Sequence, residues 1–107
     1  MISTKRFDIV SMKAYGYDQR EKNVFYITPE FKMRLISLGP GESMPKCDMA
    51  SHVIFVGIEG EAEVDVGTNR FALSRGQCLV SEPATLSMRT IAGARLLGIQ
   101  VAKRNTE

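Results

Sequence analysis

An all-β sandwich or barrel is the fold class this chain predicts, and three observations predict it. From Val24 onward the apolar residues fall in short β-prone runs, with no stretch of sustained helical period. Gly and Pro punctuate those runs. In Glu61-Ala62-Glu63-Val64-Asp65-Val66 the alternation is strict, so Ala62, Val64 and Val66 share a buried face and three carboxylates share a wet one.

The strands are predicted in order at Val24 to Ile27, Phe31 to Leu38, Ser51 to Ile58, Ala62 to Val66, Phe71 to Leu73, Gln77 to Ser81, Ser87 to Ile91 and Ala94 to Ala102. Turn chemistry separates them at Gly39-Pro40-Gly41, Glu59-Gly60, Gly67-Thr68-Asn69 and Ser74-Arg75-Gly76. Gly41 and Gly60 are expected to take positive φ, which other residues resist. The first 22 residues read differently. Phe7, Ile9, Val10 and Met12 are apolar, and Tyr15 to Lys22 is a polar loop carrying two aromatics, so residues 1–22 are expected to form an N-terminal arm and 23–107 the barrel.

Val53-Ile54-Phe55-Val56-Gly57-Ile58 is apolar at every position. A strand buried on both faces needs a second layer outside the barrel, and in a chain of 107 residues a partner subunit is the economical source. A homodimer is expected, with Ile54, Val56 and Ile58 in its interface.

The bulk numbers narrow the function classes. With 44% hydrophobic residues the chain buries one core and has no room for a second domain. Fourteen Lys and Arg against 12 Asp and Glu give a net charge of +2, scattered along the chain, which is no footprint for nucleic acid. No apolar run suits a signal peptide or a membrane span, so a cytoplasmic location is expected. Cys47 and Cys78 are too few for a disulfide framework and are expected as thiols, with Cys78 in the core.

From about Phe31 to Ala102 the chain resembles the cupin superfamily, on the following residues. Gly41 is followed by five residues, then Cys47-Asp48-Met49, then three residues, Val53, and six residues to Gly60. That is the frame of the first cupin motif without insertion. Leu38-Gly39-Pro40-Gly41-Glu42-Ser43 and Ile58-Glu59-Gly60-Glu61-Ala62-Glu63-Val64 flank it in the cupin manner. The second motif starts at Gly76. Strict spacing places Ser87 at its metal-ligand position, and one inserted residue restores Pro83 and places Met88 there instead; Ser87 is preferred. The resemblance implies a double-stranded β-helix, or jelly-roll, barrel of the RmlC-like kind.

It also implies a metal set that this chain lacks. Catalytic cupins hold iron, manganese, nickel or zinc with three His and one Glu, and the equivalent positions here are Cys47, Met49, Val53 and Ser87 or Met88. The chain has one histidine, His52, and strand alternation points it away from Val53. No metal, cofactor or catalytic residue is assigned. The leading expectation is a metal-free small-molecule-binding or regulatory cupin, whose apolar pocket is lined by Cys47, Met49, Val53, Phe55 and Ser87 or Met88. Arg34 and Arg89 are placed near the barrel mouth, where a guanidinium clamps a carboxylate or phosphate. Two alternatives stand beside it. One is an oxidoreductase or isomerase using Cys47 or a soft metal such as Cu(I) on Cys47 and Met49. The other is a partner-binding subunit with a filled barrel.

Overall fold

A computed structural model describes residues 2–102. Among these, eight strands form one curled antiparallel sheet: β1 (Val24–Ile27), β2 (Phe31–Leu38), β3 (Ser43–Met49), β4 (Val53–Val66), β5 (Asn69–Ser74), β6 (Cys78–Ser81), β7 (Ala84–Arg89) and β8 (Ala94–Val101). The hydrogen-bonded path runs β1-β2-β8-β4-β7-β3, and β5 and β6 are added along β4. The all-β reading stands, and β1 and β2 have the limits that their sequences predict. No helix among the described residues is long and apolar enough to cross a membrane.

β4 holds the barrel together because it belongs to both of its walls. Val53 to Val56 pair with β6 on one side and β8 on the other, whereas Glu61 to Val66 pair with β5. Glu63 to Val66 also pair with β7. Glu59-Gly60, expected as a turn between two strands, is a bend inside this single 14-residue strand, with a register shift between Gly57 and Glu59. Gly60 takes φ +72°, and a Cβ there would lie 2.1 Å from the Gly93 carbonyl oxygen. Only glycine meets both demands. A bulge of this kind bends a strand without ending it, so local turn chemistry marked the place but not the outcome.

β3 was absent from the expected strands. Met44-Pro45-Lys46-Cys47 has no β-branched residue, and its proline cannot donate to a ladder. The chain accommodates Pro45 at a register break between Met44 and Cys47, on a strand that pairs only with β7. The expected strand at Ser87 to Ile91 lies earlier, at Ala84–Arg89, leaving Ile91 exposed beyond it.

The core divides by face. Inside the barrel, Ile36, Leu38, Val53, Phe55, Ala62, Val64, Leu73, Leu86, Met88, Ala94 and Leu96 form one buried cluster. Outside it, Leu35, Ile58 and Leu97 form a second, packed with Met33, Val56, Ile99, Phe25 and, from the arm, Ile9, Met12 and Ala14. Part of the outer layer that a partner subunit was expected to supply therefore comes from the chain's own N-terminus. Arg95 on β8 donates to the Ile9 carbonyl at 3.2 Å and to that of Met12. Asn23 anchors the arm's other end, its amide bonded to both the N–H and the carbonyl of Tyr15 at 2.7 and 2.8 Å. Tyr15 to Lys22, read as a polar loop, contains most of a 3-10 helical segment, Tyr17–Asn23.

Candidate functional site

Pairing across β2, β8, β4 and β6 lays inward-facing residues in rows. One row is Lys32, Gln100, Val53 and Ser81; the next is Arg34, Gly98, Phe55 and Leu79. Deeper in, Ile36 pairs with Leu96, and both belong to the inner cluster. Along β2 the inward positions thus change from cationic at Lys32 and Arg34 to apolar at Ile36 and Leu38. The first two residues face the mouth of the barrel and the last two its packed end.

Between the walls lies a cavity of about 280 Å³. Ile36, Val53, Phe55 and Leu86 form its apolar interior, and Met44, Cys47 and Met49 bring sulfur from β3. The rim carries Arg20, Lys32 and Arg34, with Tyr17 from the 3-10 segment packed against the inner cluster. Among the described residues no carboxylate and no imidazole lines this space. Arg20 lies over the Tyr17 ring, 4.6 Å from its centroid, and donates to the Tyr17 carbonyl at 3.2 Å.

Gly98 opens the mouth. A Cβ there would meet Ile36 Cδ1 at 3.1 Å, Phe55 Cε1 at 3.6 Å and Arg34 Cγ at 3.7 Å. The stem of Arg34 therefore lies within the barrel, beside Phe55, over a position that carries no side chain.

Of the residues that the sequence proposed for a pocket, Arg34, Cys47, Met49, Val53 and Phe55 come together around this cavity. Ser87 does not. On β7, Leu86 and Met88 point inward into the core cluster, while Ser87 sits on the outer surface with Lys46, Asp65 and Arg70. The preferred motif register had placed it inside. Pro83 precedes β7, and the facing that follows puts Leu86 against the cavity and packs Met88 into the core at 1% exposure. Arg89 also leaves the mouth: its guanidinium pairs with Glu63 at 2.9 Å and Asp65 at 3.2 Å on the outer wall. Cys78, expected in the core, is exposed beside Val80 in an open groove between β5 and β6, because β6 turns Leu79 and Ser81 inward. His52 is exposed, and its carbonyl accepts from the Val101 N–H at 3.0 Å.

Sequence reasoning missed Tyr17, Arg20, Lys32, Met44 and Gly98. Lys32 carried a usable signal, since it shares the period of Arg34, Ile36 and Leu38 on one strand. Tyr17 and Arg20 carried none, because only the folding-back of the arm brings them to the rim.

The metal implied by the resemblance fails a chemical test. The resemblance would put Cys47, Met49 and Val53 at three of its positions, and among the described residues no three His, Cys, Asp or Glu side chains converge to hold an ion. An imidazole and carboxylate centre for Fe(II), Mn(II) or Ni(II) does not fit this donor set. The Cys47 thiol does contact the Met49 thioether sulfur at 3.6 Å.

No protein-family model matches the chain, and no curated protein does. Solved structures match it well. A cupin superfamily protein from Desulfitobacterium hafniense superposes with TM-score 0.76 at 13% identity, over 96% of this chain and 95% of its own. An RmlC-like cupin protein from Desulfovibrio desulfuricans does so with TM-score 0.72 at 18% identity, over 94% and 97%. The cupin domain of Schizosaccharomyces pombe Cnp3 matches with TM-score 0.67 at 18% identity, over 75% of this chain, which spans 61% of that one. The chain has the fold of a small RmlC-like cupin.

Proposed function

We propose that this cupin is a small-molecule-binding or regulatory protein whose ligand enters the barrel cavity. One observation carries the reading: the barrel is not packed solid at the mouth, where Gly98 removes a side chain beside Phe55 and Arg34. At about 280 Å³ the cavity sits at the small end of ligand pockets, which run from about 300 to 1,000 Å³. The methionines supply the test. Met44 and Met49 line the cavity, while Met12 and Met33 pack in the outer cluster. A screen of small fragments followed by methionine-methyl NMR is expected to shift the first pair and leave the second unmoved. Fragments that perturb only the outer methyls, or none at all, would refute the reading and leave a filled-barrel partner-binding subunit.

The Cys47–Met49 contact favours one second reading, a soft monovalent metal held by sulfur. Stoichiometric copper in protein purified without chelator or affinity tag would support it. Absence of Cu(I) binding in anaerobic competition with a bathocuproine indicator would remove it.

A further inference from the structure

Most cations of this molecule are exposed surface charges, but Lys32, Arg34, Arg89 and Arg95 are half-buried. Arg70 and Arg89 lie on the outer wall and are paired with Asp65 and Glu63. Lys32 and Arg34 occupy successive inward positions of β2, a face whose next two inward residues, Ile36 and Leu38, are buried core. Neither makes an ion pair among the described residues, and Arg20, at the same rim, donates to the Tyr17 carbonyl and lies over its ring. Three positive groups thus stand at an opening that no negative one lines among the described residues. In a partly desolvated mouth such groups repel one another, and a bound anion removes that cost.

We infer that the cavity takes a small organic anion, an apolar body carrying one carboxylate, with the body against Phe55, Val53 and Leu86 and the carboxylate on Arg34. This deepens the small-molecule reading and rests on it. Arg34 is the anchor because its stem is held inside the barrel, 3.7 Å from the empty Cβ position of Gly98, and a planar guanidinium suits a carboxylate bidentately. Lys32, one row nearer the opening, and Arg20, stacked on Tyr17, supply field at the rim and guide the anion in. The absence of lining carboxylates disfavours an ammonium ligand by the same argument.

The test compares three probes of one shape on the full chain: hexanoate, hexanamide and hexylammonium, each titrated while the Met44 and Met49 methyl signals are followed. Hexanoate is expected to bind about tenfold or more tightly than hexanamide, with affinity falling as salt is raised, and hexylammonium is expected not to bind. In Arg34→Gln the preference for hexanoate over hexanamide should disappear, and in Arg34→Lys it should survive in part. Lys32→Gln should weaken hexanoate and leave hexanamide unchanged. Equal binding of hexanoate and hexanamide, or tighter binding of hexylammonium, would overturn the anion inference and leave the cavity as a ligand site. Failure of all three probes to move the cavity methyls would count against both. The comparison of probes on the unmodified protein decides the matter even if a variant fails to fold.

Discussion

The outer wall of β4, β5 and β7 and the mouth of the barrel both carry arginines and treat them oppositely. On the wall, Glu63 and Asp65 alternate with the inward Ala62, Val64 and Val66, and Arg70 and Arg89 reach them at 2.9 to 3.2 Å. At the mouth, Lys32 and Arg34 take the inward positions themselves, and among the described residues no carboxylate lines the cavity beside them. Exposed pairs such as those of the wall contribute little to stability and much to solubility and strand register. The mouth cations have no such structural use. The difference teaches that where a charge sits on the pleat, inward or outward, says more about function than the charge itself.

Both regions depend on β4 changing sheets at Gly60, so the largest effect is expected there. Gly60→Val would place a Cβ within 2.1 Å of the Gly93 carbonyl in a positive-φ conformation, and should cost about 3 kcal/mol or more, read by urea unfolding. Stability equal to the unmodified protein would show that the bend tolerates a side chain.

Next comes filling the mouth without touching a charge. Gly98→Val directs branched carbons between Ile36, Phe55 and Arg34, and hexanoate affinity should fall by about tenfold or more while the fold persists with a modest loss of stability. Retained affinity would place the ligand elsewhere.

A paired swap then sharpens the contrast. Arg34→Gln should abolish the preference for hexanoate and leave the melting temperature unchanged or raised, since it relieves repulsion from Lys32 and Arg20. Arg89→Gln should leave hexanoate binding intact and lower the melting temperature slightly, since Glu63 and Asp65 lose a partner. The reverse pattern would exchange the roles of the two regions.

The smallest effect is on pH. The hydrogen bond from Arg70, aided by the charges of Arg70 and Arg89, holds Asp65 below the ordinary carboxylate value. A carboxyl lowered in the folded state stabilises fully above its unfolded pKa and loses that contribution as pH falls through the folded one. Acid melts of Asp65→Asn should therefore lose less stability than those of the parent across that strongly acidic range. Parallel melting curves would show that the wall pairs contribute nothing.

The proposed homodimer bears on the arm. Ile9 and Met12 already cover Leu35, Ile58 and Leu97, and Ile54 lies outside that cluster. Light scattering of the unmodified protein checks the dimer, and Ile54→Lys should dissociate it. A stable monomer would show that the arm alone suffices as the outer layer.

Period-two alternation is a property of a few neighbouring residues, so the inner and outer faces of Glu61 to Val66 and the limits of β1 and β2 were legible locally. The glycine frame also made the cupin barrel legible. Other features were set by contacts between residues far apart in the chain. Gly93 under Gly60 makes a bend where a turn was expected, and Ile9 and Met12 of the arm pack against the outer cluster of Leu35, Ile58 and Leu97. The facing of β7 turns Ser87 outward and Leu86 inward, because one extra residue before a strand exchanges its two faces. Whether an arginine finds a partner, as Arg89 does on Glu63 and Asp65, depends on which strands come to lie beside it, and that no local pattern records.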